Sequence, residues 1–292
     1  MRSFPALLVV LAVSRAGAEA PLPELRVACV QMEVKPQLQA NLERIERGIA
    51  EAKAAGARMV LFPETALSGF DEPTIQALDW AALHAAMQRL AELAKANDVY
   101  VLYGTATESG KARPYNSAVL LGLDGAEIMR YHKMAPEDWF EPGDHLALFE
   151  VDAIPCTMII CHDNRFPELV RIPVLRGARI CFYISYEINR FPDAVRKIDN
   201  YRAQLVARAA ENGVWLAQAN GVGPLDTTGS ASLGHSRIID PRGIIVRELP
   251  GMQEGMLVET LRPEEAKRGN AKESLDLLPL RHFWEEGLRL LP

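Results

Sequence analysis

Apolar residues recur along the chain with two different periods. Short runs of aliphatic and β-branched residues predict buried strands, and longer segments with apolar residues three or four positions apart predict amphipathic helices. The predicted strands cover residues 25–32, 59–62, 99–106, 157–161, 179–184, 214–219 and 256–260. The predicted helices cover residues 42–56, 83–94, 167–176 and 193–212. Because strands and helices alternate, the pattern predicts an α/β fold.

Two predicted hairpins add antiparallel strands to this series. The first turns at Asp124-Gly125 and the second at Asp240-Pro241-Arg242-Gly243. Asp-Gly pairs favour tight turns between antiparallel strands, so the sheets should be mixed. No linker rich in Pro, Gly or Ser divides the series. We therefore expect one mature domain, residues 19–292, with its core at about 25–260 and a C-terminal tail.

The first eighteen residues have the features of a secretory signal peptide. Met1-Arg2 supplies positive charge, Leu7 to Val13 form an unbroken aliphatic run, and Ala16-Gly17-Ala18 matches a small-residue cleavage site. The apolar run is too short to cross a bilayer, which takes roughly 20 residues. The alternative is a first core strand at residues 9–13. We expect cleavage after Ala18 and export to the periplasm or the medium, with no membrane span after the leader.

Composition and charge narrow the classes of protein. Hydrophobic residues make up 49% of the 292, enough to bury a large core without disulfide staples. A net charge of −6 without a basic stripe excludes a nucleic-acid binder. The six histidines lack metal-site spacing, so we expect no metal and no cofactor. Buried free thiols are predicted for Cys29, Cys156 and Cys181, because each lies in an apolar, strand-like segment.

A carboxylate follows the second predicted strand directly. In Leu61-Phe62-Pro63-Glu64, proline lacks the N–H needed to continue a sheet, so Glu64 should lie at a strand end. Strand ends are where α/β folds place their sites. Taken alone, Glu64 could equally be a solvated loop residue.

A lysine and a second glutamate follow the first hairpin, in Tyr131-His132-Lys133-Met134-Ala135-Pro136-Glu137. A lysine after a hairpin strand is ordinarily a solvated charge. Glu137 by itself would be an ordinary loop or helix acid. Nothing in their local pattern distinguishes them from other surface residues.

The segment from Met158 to Glu168 predicts a strand, a turn and then a helix that presents Cys161. An apolar strand ends at this cysteine, polar residues follow at once, and Pro167 suits a first helical turn. We expect an accessible thiol whose thiolate form is favoured near a helix N-terminus. The alternative is a small core residue. His162 should point to the opposite face and not reach the sulfur of Cys161.

These three segments, in this order, resemble the nitrilase superfamily of carbon–nitrogen hydrolases over about residues 25–260. Other segments fit its pattern: Tyr115-Asn116-Ser117-Ala118, Pro142-Gly143-Asp144, residues 208–212, Ala219-Asn220 and residues 234–236. The resemblance implies an α-β-β-α sandwich with four layers and mixed sheets, commonly a homodimer. It also implies a catalytic Glu64, Lys133 and Cys161, with Glu137 holding the lysine, although the spacing from Glu137 to Pro142 is about one residue short.

The implied activity is that of an exported thiol hydrolase. It would cleave a non-peptide C–N bond, of amide or carbamoyl type, through a thioester on cysteine. A nitrile hydrolase, an acyltransferase and an inactive binding protein of the same fold stay open as alternatives. The family pattern places the substrate pocket near four residues, whose polar character favours a small polar substrate: His162, Asn164, Tyr186 and Glu187.

The C-terminal tail carries apolar residues on one side. His282-Phe283-Trp284 and residues 288–291 cannot bury that surface by themselves. They should pack on their own domain or on a partner, and we expect a two-fold symmetric homodimer with the elbow helix and tail near the interface.

Overall fold

The computed structural model describes residues 21–223 and 229–290. The predicted signal peptide therefore lies outside the described residues. The strands are β1 Leu25–Gln31, β2 Met59–Leu61, β3 Tyr100–Thr107, β4 Tyr115–Leu121, β5 Glu127–His132, β6 Phe149–Val151, β7 Ile154–Ile160, β8 Ile180–Ser185, β9 Asn189–Arg190, β10 Trp215–Asn220, β11 Ser230–Ala231, β12 Arg237–Ile239, β13 Ile245–Glu248 and β14 Gly255–Leu261. The α-helices are α1 Leu38–Ala54, α2 Glu72–Gln76, α3 Trp80–Asn97, α4 Glu168–Leu175, α5 Phe191–Asn212, α6 Gly269–Asp276 and α7 Leu278–Leu290.

Two six-stranded mixed sheets form the centre of the molecule. One has the order β14-β1-β2-β3-β4-β5 and the other the order β13-β12-β10-β8-β7-β6. In each sheet, three neighbouring strands run parallel, and the strand on either side of these three pairs antiparallel with them. The inner faces pack together around an apolar core that includes Leu61, Leu102, Met158 and Phe182.

Helices cover the outer faces of both sheets. Ile45 of α1 and Leu90 of α3 pack on the first sheet, where they meet Val101 and Tyr103. Val174 of α4 and Leu205 of α5 pack on the second sheet. Leu102 of β3 therefore faces the core between the sheets, whereas Val101 and Tyr103 face the core under the helices. This alternation follows from the two-residue period of a strand, and it buries both faces of the sheet. The resulting α-β-β-α order, with mixed sheets, confirms the predicted fold class.

Local sequence explains where the long helices begin and end. The side chain of Asp79 accepts the Ala82 N–H at 3.0 Å and caps α3. Pro192 occupies the first turn of α5, where its missing N–H costs nothing, and Gly213 ends that helix in the left-handed region at φ +61°. These signals set the ends of α5, and its Leu205 and Ala209 pack on the second sheet.

Most predicted elements are present within a few residues of their expected bounds. The last predicted strand, β14, does not form a hairpin but pairs with β1 from the other end of the domain. The short β9–β11 pair, β6, the short helix α2 and the tail helices α6 and α7 were not predicted. Within the described ranges, no helix is both long and apolar enough to cross a membrane.

Candidate active site

Glu64 lies in a tight turn after β2, where the strand has been stopped by Pro63. Its side chain is completely buried. Oε1 accepts hydrogen bonds from Asn116 Nδ2 at 2.7 Å and Lys133 Nζ at 2.6 Å, and Oε2 accepts the Tyr186 N–H at 2.8 Å. A buried carboxylate is tolerated when its oxygens are bonded in this way. The structure therefore excludes a solvated loop position for Glu64.

Lys133 follows β5 and lies between two carboxylates. Its Nζ contacts Glu64 Oε1 at 2.6 Å and the two oxygens of Glu137 at 2.8 and 3.0 Å. The lysine side chain is completely buried. Its backbone is held on both sides, because Lys133 N donates to Asn116 O at 2.8 Å and Gly143 N donates to Lys133 O at 2.8 Å. The solvated position that the local sequence favours is therefore wrong for this lysine.

Cys161 begins a 3-10 turn, Cys161–Arg165, directly after β7. Its φ of +43° is unusual for a residue with a side chain and indicates local strain. Asp163 holds this turn in place: Oδ2 accepts from Ile160 N at 3.2 Å and from the Tyr131 hydroxyl at 2.8 Å. Its Oδ1 accepts from Met134 N at 3.1 Å and Ala135 N at 3.0 Å. Asp163 thus joins the cysteine turn to the segment that carries Lys133.

The predicted accessibility of Cys161 is wrong. The residue is only 7% exposed and belongs to the apolar core between the sheets. Burial raises the pKa of its thiol well above the usual value, the charge of Glu64 raises it further, and Lys133 offsets only part of this. Cys161 lies at the end of a buried strand, where the apolar surroundings disfavour a charged thiolate. The resting thiol therefore stays protonated. The predicted strand, turn and helix are all present, but the expectation that they favour the thiolate is wrong for the same reason.

The charges around Cys161 suit Glu64, rather than Lys133, to transfer protons. Burial raises the pKa of Glu64, and the neighbouring Lys133 ammonium opposes this only in part. Burial alone would lower the pKa of Lys133, but the charges of Glu64, Cys161 and Glu137 outweigh it and raise that pKa. The lysine therefore remains a cation, whereas Glu64 can accept and release a proton.

The four predicted pocket residues occupy different surroundings. His162 is 36% exposed and its Nδ1 lies 3.7 Å from Glu137 Oε1, while burial lowers its pKa to about 4. The Tyr186 ring stands edge-on to Phe70 at 5.3 Å. Asn164 is buried against α5, where its Nδ2 donates to Gln204 Oε1 at 3.1 Å.

Glu187 is buried in a polar network behind the site. It accepts hydrogen bonds from Gln218 Nε2 at 3.2 Å and Asn220 Nδ2 at 3.2 Å, both on β10. Tyr183 of β8 lies within hydrogen-bond distance of both Glu187 and the Cys161 carbonyl. The sequence did not identify Asn116, Asp163 or Tyr183 as individual site residues. For Asn116, the only signal was that the Tyr115–Ala118 segment fits the family pattern.

The structure also shows the state of the cysteines and bears on metal binding. All four cysteines, Cys161 included, are free and buried, which confirms the prediction for Cys29, Cys156 and Cys181. In the part of the chain that the structure describes, no group of three or more His, Cys, Asp or Glu side chains is arranged to hold a metal ion.

Known sequences similar to this chain include several amidases. A 2-oxoglutaramate amidase of Bacillus subtilis is 28% identical over 240 residues, which cover 79% of this chain and 88% of that protein. An omega-amidase of Mus musculus is 27% identical over 250 residues, covering 80% of this chain and 86% of that protein.

Solved structures similar to this chain include amidases as well. A mutant of a Nesterenkonia amidase from the nitrilase superfamily has a TM-score of 0.76 at 26% identity, over 89% of this chain and 97% of that one. A second form of that amidase, at TM-score 0.75 and 25% identity with the same coverage, carries the acetamide moiety of fluoroacetamide covalently on its active-site cysteine. The family model for carbon-nitrogen hydrolases matches residues 26–269, most of this chain, and the protein belongs to that family.

Proposed function

We propose that this carbon–nitrogen hydrolase is an exported amidase that cleaves a small, polar carboxamide through a thioester on Cys161. The observation that carries the proposal is a buried ammonium, Lys133, held 2.6 Å from Glu64 and 2.8 Å from Glu137 beside the thiol. An amide substrate is favoured over a nitrile because the relatives described above are named amidases.

In the first half of the reaction, the thiol of Cys161 attacks the carbonyl carbon while Glu64 accepts its proton. As the C–S bond forms, the π electrons of the carbonyl group move to its oxygen, which becomes negatively charged. The Lys133 ammonium stabilises that charge. Glu64 then gives the proton to the nitrogen, the C–N bond breaks, and the amine or ammonia leaves. The acyl group remains on sulfur as a thioester.

In the second half, water replaces the amine. Glu64 takes a proton from water as its oxygen attacks the thioester, and the C–S bond breaks when the tetrahedral intermediate collapses. The proton returns to the sulfur, and the carboxylic acid leaves. Glu137 keeps the ammonium of Lys133 in place through both halves, because its two oxygens bind Nζ at 2.8 and 3.0 Å.

Thioester trapping tests this function. The protein is mixed with matched amides, nitriles and esters of small polar acids, quenched in acid, and examined by intact-protein and peptide mass spectrometry. We expect an acyl adduct on Cys161, formed from amides, that hydroxylamine removes. Cys161→Ala should give no adduct, whereas the control Cys156→Ala, which removes another buried thiol of the same core, should form it normally. An adduct on a different residue would contradict the proposal, and adducts from nitriles alone would replace the substrate class.

Export is tested at the N-terminus. The charge, apolar run and small residues of positions 1–18 support cleavage after Ala18. Protein isolated from the periplasm or medium of its own host should begin at Glu19 when sequenced from the N-terminus. A cytosolic protein that retains Met1 would contradict export while leaving the amidase proposal intact.

A further inference from the structure

A buried carboxylate behind the cysteine has no part in the mechanism above. Glu187 follows β8, and its oxygens face Gln218 Nε2 and Asn220 Nδ2, each at 3.2 Å. Its own N–H donates to Asn220 Oδ1 at 3.2 Å, so backbone and side chain are both fixed. Among the residues that the structure describes, no cation lies within salt-bridge distance of this carboxylate. Amide groups and the Tyr183 hydroxyl therefore hold Glu187 in the interior.

The Tyr183 hydroxyl links Glu187 to the cysteine. It lies 3.1 Å from the Cys161 carbonyl oxygen and 3.2 Å from Glu187 Oε1, and the tyrosine is buried. A hydroxyl has one proton, so Tyr183 can donate to only one of these two oxygens at a time. A carboxylate is the stronger acceptor, because hydrogen bonds to charged groups are about twice as strong as neutral ones. When Glu187 is ionised, the Tyr183 hydroxyl therefore donates to its carboxylate and not to the Cys161 carbonyl.

We propose that Glu187 is a positioning residue for Cys161 and that it acts through Tyr183. When Glu187 carries a proton, it donates to the Tyr183 oxygen, and Tyr183 donates to the Cys161 carbonyl. When Glu187 is ionised, Tyr183 turns its proton to the carboxylate and the carbonyl loses that donor. The exchange changes no bond between heavy atoms; Glu187 gains or loses one proton, and with it one O–H bond. The inference rests on the proposed role of Cys161 as nucleophile.

The Cys161 carbonyl matters because this residue is held in an unfavourable conformation. A φ of +43° costs on the order of 1–3 kcal/mol and persists only where the surroundings hold it. Asp163 secures the turn through the preceding N–H, at Ile160, and Tyr183 is placed to secure it through the Cys161 carbonyl. Loss of the second hydrogen bond frees the Cys161 peptide to rotate and moves the sulfur away from the attacking geometry.

Several titratable and charged groups face Glu187 from the elements packed against it. They are Tyr183 of β8, Tyr201 of α5, Arg237 of β12, His235 before β12, Glu64 after β2, and Cys161 after β7. Burial raises the pKa of Glu187 to about 7, and the charge of Arg237 offsets only part of that increase. The neutral form therefore prevails below about pH 7 and the ionised form above it, which places the exchange in the neutral range.

The first test compares Glu187→Gln with the wild type between pH 5 and 9. The glutamine amide can donate to the Tyr183 oxygen at every pH, as neutral Glu187 does. We expect equal kcat/KM below pH 7 and a variant about threefold to tenfold faster above it, the value of one hydrogen bond, with the difference in kcat. A constant ratio across this range would overturn the proposal.

Tyr183→Phe gives the reciprocal result and separates positioning from simple charge. This variant should be about threefold to tenfold slower than wild type below pH 7 and equal to it above, because the donor is missing in both forms. In the Tyr183→Phe background, adding Glu187→Gln should not change how kcat/KM depends on pH. If the pH-dependent gain persists in the double variant, Glu187 acts through its charge alone and the relay is wrong. Should Glu187→Gln fail to fold, the profile of Tyr183→Phe still decides.

A control and a second measurement complete the experiment. Glu150→Gln removes an exposed carboxylate of β6, and its ratio to wild type should not vary from pH 5 to 9. The rate of Cys161 alkylation by iodoacetamide is read by mass spectrometry. In each variant, it should depend on pH in the same way as the kcat/KM of that variant. If no amide is hydrolysed, the proposed function fails, while the alkylation rates still test the role of Glu187.

Discussion

At the scale of single residues, Lys133 carries the chemistry because it is a cation with no access to water. Its ammonium is needed most when the oxyanion forms, so Lys133→Ala should lower kcat by about 10²–10³ with little change in KM. Steady-state kinetics with the trapped amide measure this. Lys111→Ala, which removes an exposed lysine, is the control and should behave like wild type. A change confined to KM would mean that Lys133 only binds substrate.

Glu187 also makes a prediction about stability. Because folding raises its pKa from 4.5 to about 7, its neutral form contributes stability below pH 4.5, and this is lost as the pH rises through about 7. Wild type should therefore lose more stability than Glu187→Gln between pH 5 and 8. Thermal melting at both pH values measures the difference, with Glu150→Gln, an exposed carboxylate, as the control. Equal losses in wild type and Glu187→Gln would contradict the buried, protonated state.

The residues that sequence could identify are those whose neighbours along the chain are informative. Glu64 follows a strand and a proline, and Cys161 follows a strand before a polar turn, so both were placed correctly at strand ends. Lys133 looked like a surface charge, and only the order of motifs indicated otherwise. Its burial depends on Glu64, which is distant in sequence. The roles of Asp163 and Tyr183 depend on contacts between segments that no local pattern reveals.

At the scale of elements, the turn that carries Glu64 is pressed against the backbone of β3. Gly104 N donates to Pro63 O at 3.1 Å, and Leu67 N donates to Gly104 O at 3.0 Å. A Cβ at position 104 would lie 2.3 Å from Thr65 N and 2.5 Å from Pro63 O, both backbone atoms. No side chain fits there without moving the turn.

Gly104→Ala should therefore reduce activity far more than an ordinary glycine substitution, with a loss of stability of about 1–3 kcal/mol from overpacking. Chemical denaturation and amide hydrolysis measure the two effects. Gly269→Ala is the matched control, because nothing lies within 4 Å of a Cβ there. An active and stable Gly104→Ala would show that the Glu64 turn can shift without consequence.

The elements that were missed share a physical cause. Hairpins and amphipathic helices are specified within a short segment, and both predicted hairpins are present. The pairing of β14 with β1, and of β9 with β11, is decided by packing between distant segments. The tail helix α7 was noted only as a stretch with apolar residues on one side, because its position beside α4 depends on contacts between distant segments.

At the scale of the whole molecule, the tail and the helix after the cysteine turn leave an apolar surface uncovered. Phe283, Trp284 and Leu278 are exposed on α7. A groove of about 890 Å³ lies between α4 and the tail, with Ile172, Leu175, Leu275, Leu280 and Trp284 among its lining residues. Exposed apolar patches of this kind mark association surfaces. We propose that a second copy covers it in a two-fold dimer.

Light scattering tests the dimer. Full-length protein at micromolar concentration should be dimeric, and a chain ending at Pro279 or carrying Trp284→Glu should be shifted toward monomer. Arg289→Glu, on the same helix but outside the groove, also makes the helix more negative and serves as a control that should stay dimeric. A fully active wild-type monomer would defeat the dimer, whereas a dimer unchanged by truncation would remove only the tail from the interface.

The pairing of β1 with β14 joins the two ends of the domain. The residues between them build most of both sheets, so loop closure spans nearly the entire chain and the contact order of this fold is high. During synthesis, the apolar β1 has no partner on this edge until almost all of the protein has been made. Such a chain folds slowly, because its last strand must be made before the first sheet is complete. The same open edge makes its nascent form prone to aggregation until β14 has been made.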